Sequence, residues 1–120
     1  MTKFKCISQI DETDCGPACL AAIFRKYNLK VSIATIRDIA GTDRQGTSAY
    51  GLVKVIEHFG FQQKAVEADK SVLTPKIPLP AIAHVVIDNS LLHYVVITKV
   101  KGDIVVVSDP ANGLYVTFNY

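Results

Sequence analysis

Residues 15–27 read CGPACLAAIFRKY, with apolar residues at Cys15, Ala18, Cys19, Ala22 and Ile23, the spacing of one helix face. Asp14 stands just ahead as a candidate N-cap, and Pro17 fits only a first turn because it has no N–H to offer a helix interior. Asn28 tolerates the left-handed conformation that ends a helix. The stretch therefore predicts a helix that begins on a cysteine. Working outward, a second helix is expected near 32–40, from Ser32 as cap to Gly41 as stop. A third is expected near 48–59, from Ser48 to Gly60, burying Leu52, Val55, Ile56 and Phe59.

After Gly60 the pattern changes. Residues 61–68 alternate weakly, as a strand does, and 74–80, TPKIPLP, holds three prolines and predicts an extended loop or edge. Four runs follow: AIAHVVI (81–87), LHYVVITKV (92–100), DIVVVSD (103–109) and LYVTFNY (114–120), each rich in β-branched and aromatic residues. The breaks between them, Asp88 to Ser90, Lys101-Gly102 and Pro110 to Gly113, are short enough to imply antiparallel neighbours. Helices first and strands after predict an α+β fold, an N-terminal helical lobe packed on a C-terminal antiparallel sheet.

At 120 residues the chain is expected to form one domain, 1–120. A chain of this size buries about two-thirds of its unfolded surface, so it needs no disulfide or metal to hold it. The net charge is +2 without a basic stripe, which argues against nucleic acid as a partner. The three cysteines, Cys6, Cys15 and Cys19, are an odd number and a poor disulfide framework. The N-terminus lacks the apolar core of a secretory signal, and no apolar run approaches the roughly 20 residues of a membrane helix. A reducing compartment, in which a thiol stays free, is the expected setting.

The chemistry centres on Cys15. A thiol attacks a carbonyl as thiolate, and a helix N-terminus favours an anion through its unpaired N–H groups and its dipole. Gly16 beside it reads as room for a substrate backbone. Cys19, one turn further on, reads as a structural thiol, and Cys6 as packing. The nucleophile needs a base. His58 reads as a solvated helix residue, and His84, mid-strand among apolar residues, as a satisfied core or interface histidine. His93 opens its strand just after a turn, sharing a face with Val95 and Ile97 while Tyr94, Val96 and Thr98 face the other way. Asp109, at the end of the following strand, could orient His93, although Asp109-Pro110 is equally a simple turn start. Backbone N–H at Cys15 and the Gln9 amide are candidate oxyanion donors. Cys15 and Cys19 could share a metal with a histidine, but no second pair completes a site, and none is expected.

The stretch Gln9 to Leu20, QIDETDCGPACL, resembles the nucleophile motif of the bacteriocin-processing peptidases, the N-terminal peptidase domain of peptidase-containing ABC transporters. The similarity continues in order through Gly46 to Leu52, Phe59-Gly60-Phe61, Leu79 to His84, His93 to Val96 and Asp109 to Gly113, over nearly the whole chain. It implies a papain-like fold and a thiol protease. The implied substrate is the leader peptide of a bacteriocin or quorum-sensing pheromone, cut after a double-glycine motif during export. It assigns Cys15 as nucleophile, His93 as base and acid, Asp109 as orienter and Gln9 as oxyanion-hole donor. The peptidase domain would need no cofactor, ATP serving only the transporter part. Its partners would be the leader and the transporter's membrane and ATP-binding domains, on the cytoplasmic side of a bacterial cell membrane. Asn28 stands where the family usually has glycine. Since no membrane helix or ATP-binding motif is present, the chain is expected to be the peptidase part of a longer protein. The rival implication is a non-catalytic docking domain of the same fold that binds cargo. Such domains lack the cysteine, whereas Gln9, Cys15, His93 and Asp109 are all present here.

Overall fold

Of the three helices among the described residues, two begin on a serine whose hydroxyl takes up an orphan N–H of the first turn. In the computed structural model, which describes residues 14–44, 46–63, 78–87, 91–101, 104–110 and 114–119, helix α1 spans Cys15–Lys26, α2 Ile33–Ala40 and α3 Ala49–His58. Ser32 accepts from the Thr35 N–H at 3.1 Å and Ser48 from the Gly51 N–H at 3.0 Å. Asp14 holds the corresponding position before α1, yet its side chain accepts nothing from that helix. Its carboxylate is buried and pairs instead with Arg37 of α2. A guanidinium within reach outcompetes a neutral N–H for a carboxylate taken out of water. Gly41 and Asn28 adopt the left-handed conformation, with φ of 74° and 64°, as their places behind α2 and α1 require.

The strands are β1 (Ala81–Ile87), β2 (Leu91–Lys101), β3 (Ile104–Asp109) and β4 (Leu114–Asn119). They form one antiparallel meander in the order β1-β2-β3-β4. Expected and observed ends agree to within a residue or so. Of the stretch expected to alternate at 61–68, residues 61–63 are not strand and the rest lie outside the described residues.

The faces of β2 divide as their period of two demands. Tyr94 and Val96 join the helical core, with Ala18, Leu20, Phe24, Ile36, Leu52 and Val55. Val95, Ile97 and Val100 join Val105 and Val107 of β3 in a second cluster. Burying each large apolar side chain contributes about 1.5–3 kcal/mol, so the helical core is the larger source of stability. On its far side the Phe24 ring meets Phe59 edge-on and Phe61 stacked, both at 5.3 Å between centroids. Gly60, at φ 81°, makes the turn that brings both rings back onto it. Of the apolar face expected on α3, Leu52 and Val55 are buried and Ile56 and Phe59 half-buried. Among the described residues no helix is long and apolar enough to cross a membrane.

Helices α2 and α3 touch where Gly51 lies against the end of α2. A Cβ on Gly51 would run into the Ala40 carbonyl oxygen, a backbone atom that cannot rotate away. Alanine favours a helix by about 1 kcal/mol over glycine, but overpacking against backbone costs about 1–3 kcal/mol. Gly51→Ala is therefore expected to lower stability on balance, read as a lower urea midpoint at unchanged m-value.

Candidate active site

Cys15 is the first residue of α1, and Cys19 follows one turn later; neither is in a disulfide. Cys19 is 1% exposed, the buried structural thiol expected of it, while Cys15 lies at the margin of the core at 9%. Gly16 faces inward rather than to the surface. A Cβ there would sit 3.3 Å from the Tyr94 ring, 3.3 Å from Leu52 and 3.5 Å from Thr47. The missing side chain makes room for the protein's own tyrosine and not for a substrate backbone, which corrects the reading from position alone. The first turn of α1 is thereby seated on the residue that follows His93.

Tyr94 is held from three sides. Its hydroxyl donates to the Thr47 carbonyl at 2.9 Å, its ring edge abuts Gly16, and its face carries the His84 ring at 4.0 Å and 11°. Burial pushes its phenol up, and the negative charge of Cys15 and then Cys19 adds to this. It remains a hydroxyl that can donate. The chemistry of Cys15 is thus felt at Tyr94, one residue along β2 from His93.

His93 and Asp109 meet as expected. The ring Nε2 and Asp109 Oδ1 lie 2.6 Å apart, and both residues are buried. The register explains the meeting. Ser108 pairs with Val96, so Asp109, next along β3, falls at the end of the sheet where β2 carries His93. An ionised carboxylate only accepts, so Nε2 carries the proton and Nδ1 is the nitrogen left to accept one. Asp109 therefore selects the tautomer and fixes the ring, which is the work of an orienting residue.

His84 is exposed and lies over Tyr94. It is neither core nor interface among the described residues. Partial burial lowers its pKa, and the nearby His93 lowers it further, which favours the neutral ring. It has no carboxylate partner among the described bonds, whereas His93 has one. His58 is exposed on α3, as expected. Gln9 and Cys6 lie outside the described residues. Among the described residues no group of three histidine, cysteine or carboxylate side chains could hold a metal. Sequence reasoning missed Tyr94, Thr47 and the Asp14–Arg37 pair. The position of Tyr94 beside His93 was a usable signal. Nothing in the pattern of α2 pointed to Arg37.

Comparison with known proteins gives the same picture. Residues 3–117 match the model of the family described as the Peptidase C39 family. The chain is 46% identical over 110 residues to the lactococcin-G-processing and transport ATP-binding protein LagD of Lactococcus lactis subsp. lactis, covering 91% of this chain and 16% of that protein. It spans less than a fifth of the length of such curated relatives. Its fold superimposes on the peptidase domain of Streptococcus ComA, a bifunctional ABC transporter of a quorum-sensing pathway. The TM-score is 0.89 at 31% identity, over 98% of this chain and 87% of that one. A double-glycine-motif protease from an AMS/PCAT transporter, solved with its leader peptide, gives 0.82 at 26% identity, over 99% and 84%.

The geometry separates the two strand histidines by experiment. Iodoacetamide modification of Cys15, mapped by mass, is expected to slow about tenfold or more in His93→Ala, because the base partner is gone. It is expected to stay within about twofold of the parent in His84→Phe, which keeps the stack on Tyr94. The reverse ranking would make His84 the base.

Proposed function

The chain belongs to the peptidase C39 family, and with it to the cysteine peptidases; from that premise we propose that it cleaves the leader of a bacteriocin or peptide-pheromone precursor after a double-glycine motif, as the peptidase domain of a larger export transporter. The observation that carries the catalytic part is the buried His93–Asp109 hydrogen bond, on the strand against which the Cys15 turn of α1 is packed. The substrate class is supported by relatives whose names couple bacteriocin processing to transport, and by the similar protease solved with its leader.

The steps follow from the groups present. The Cys15 thiolate attacks the carbonyl carbon of the second glycine. The developing oxyanion is met by the Cys15 N–H at the helix start and by the Gln9 amide. His93, its Nε2–H held by Asp109, takes the thiol proton at Nδ1 and passes it to the departing amine. The acyl group is then a thioester on Sγ. Water, deprotonated by His93, hydrolyses it and frees the thiol. A glycine pair suits a cleft too narrow for any Cβ beside the scissile bond, and the rest of the leader would dock as an amphipathic helix. The parent's membrane and ATP-binding domains would hold this domain at the cytoplasmic side of the membrane. ATP would be used there and not in the cleavage.

Incubation with a panel of double-glycine leader peptides, with products identified by mass, tests the reading. Cutting is expected after the second glycine. Cys15→Ala is expected to lower the rate by about 10³ or more while leaving leader affinity within about threefold. Cleavage that persists in that variant would remove Cys15 from the role. Asp109→Asn should cost less than Cys15→Ala, because it disturbs the orientation of the base and leaves the nucleophile in place.

A further inference from the structure

The residue directly before the nucleophile carries a charge of the wrong sign. Asp14 is 3% exposed, its side chain makes no capping hydrogen bond to α1, and it immediately precedes the residue whose thiol must become an anion. A carboxylate on the neighbouring residue opposes the appearance of a second negative charge, and more strongly in a medium less polarisable than water. Arg37 answers that charge. Its guanidinium pairs with the Asp14 carboxylate across the gap between α1 and α2. Each partner sits at the helix end that suits its sign, Asp14 at the start of α1 and Arg37 in the last turn of α2.

The pair also belongs to a longer line of contacts. The Arg37 carbonyl accepts from the N–H groups of both Gly41 and Thr42, which pins the end of α2. The Thr42 hydroxyl bonds that of Thr47 at 2.5 Å. The Thr47 carbonyl in turn receives the Tyr94 hydroxyl. The line therefore runs from the residue before Cys15 to the residue after His93, and it passes around Gly16, which lies against both Thr47 and Tyr94.

We propose that Arg37 is a positioning residue for the nucleophile: it cancels the Asp14 charge beside Cys15 and ties the first turn of α1 to the line of contacts that ends on Tyr94. The proposal rests on the reading of Cys15 as nucleophile. It assigns Arg37 no contact with substrate. A salt bridge serving stability alone would be indifferent to the reactivity of the thiol. The one assigned here acts on it, through the sign of the charge left behind when Arg37 is removed.

The test compares Arg37→Gln, Arg37→Lys and the double variant Asp14→Asn/Arg37→Gln. Two measurements are made on folded protein well below its melting temperature. One is the rate of iodoacetamide modification at Cys15, mapped by mass. The other is kcat and KM on a leader peptide that the parent cleaves. Arg37→Gln is expected to slow modification and kcat by about tenfold, with KM within about twofold, because it takes the guanidinium's positive charge away from the carboxylate that precedes Cys15. Arg37→Lys keeps the cation and should stay within about threefold of the parent. The double variant removes both charges and should recover to the same range. Parent-like modification in folded Arg37→Gln overturns the proposal, as does a double variant as slow as the single one. Should Arg37→Gln not fold, Arg37→Lys and the double variant carry the test, and a tenfold loss in either overturns it. Modification at Cys15 does not depend on any leader. A parent chain that is modified there but cleaves no double-glycine peptide refutes the substrate reading and leaves this one standing.

Discussion

The contact of Gly16 with the Tyr94 ring is the constraint on which the site depends. It is the point where the helical lobe, which presents the thiol, touches the strand that presents the base. With no Cβ at Gly16, the first turn of α1 settles against the edge of an aromatic ring that is itself tethered at its hydroxyl and covered on its face by a second ring. A Cβ at this position would lie 3.3 Å from the ring, and ring or turn would have to give by a few tenths of an ångström. A cysteine–histidine pair tolerates little of that, because proton transfer between them requires hydrogen-bond distance.

The two faces of β2 divide the labour. The face bearing Tyr94 and Val96 joins the sheet to the helices, the face bearing Val95 and Ile97 forms the second cluster with Val105 and Val107, and His93 at the strand's start bonds Asp109 at the end of neighbouring β3. Among the described residues His93 is therefore held by a bond within the meander, whereas the place of Cys15 relative to it depends on how the helices dock on β2. Two sequence-adjacent residues, His93 and Tyr94, thus make unrelated contacts: one bonds the end of β3 and the other ties the sheet to the helices.

Much of this was legible in the sequence because its signals are local. Ser32, Ser48, Gly41 and Asn28 announce helix ends by their own chemistry, and the four β-branched runs separated by short polar breaks leave little choice but a meander. The meeting of His93 with Asp109 was reachable for the same reason, since neighbouring antiparallel strands fix register to within a residue or two. What was not legible depends on contacts between distant elements. Asp14 has the residue type and place of a helix cap, and only the approach of α2 turns it to Arg37. Gly16 reads as an opening for substrate until the ring that fills the space is known. His84 reads as core because its neighbours are apolar, yet β1 is an edge strand, and its ring lies exposed on Tyr94. The substrate preference came from resemblance and from relatives, since no local pattern encodes it.

The meander has a consequence for the order in which the chain acquires its chemistry. Every strand pairs with its neighbour in sequence, so the sheet, with His93 and Asp109 on it, closes through short loops. The bond from Tyr94 to Thr47 spans 47 positions, and the seat of Gly16 on Tyr94 spans more. Closing longer loops costs more chain entropy and comes later in folding. In the folding of the finished chain, His93 and Asp109 can therefore come together before the helix that carries Cys15 is seated on Tyr94.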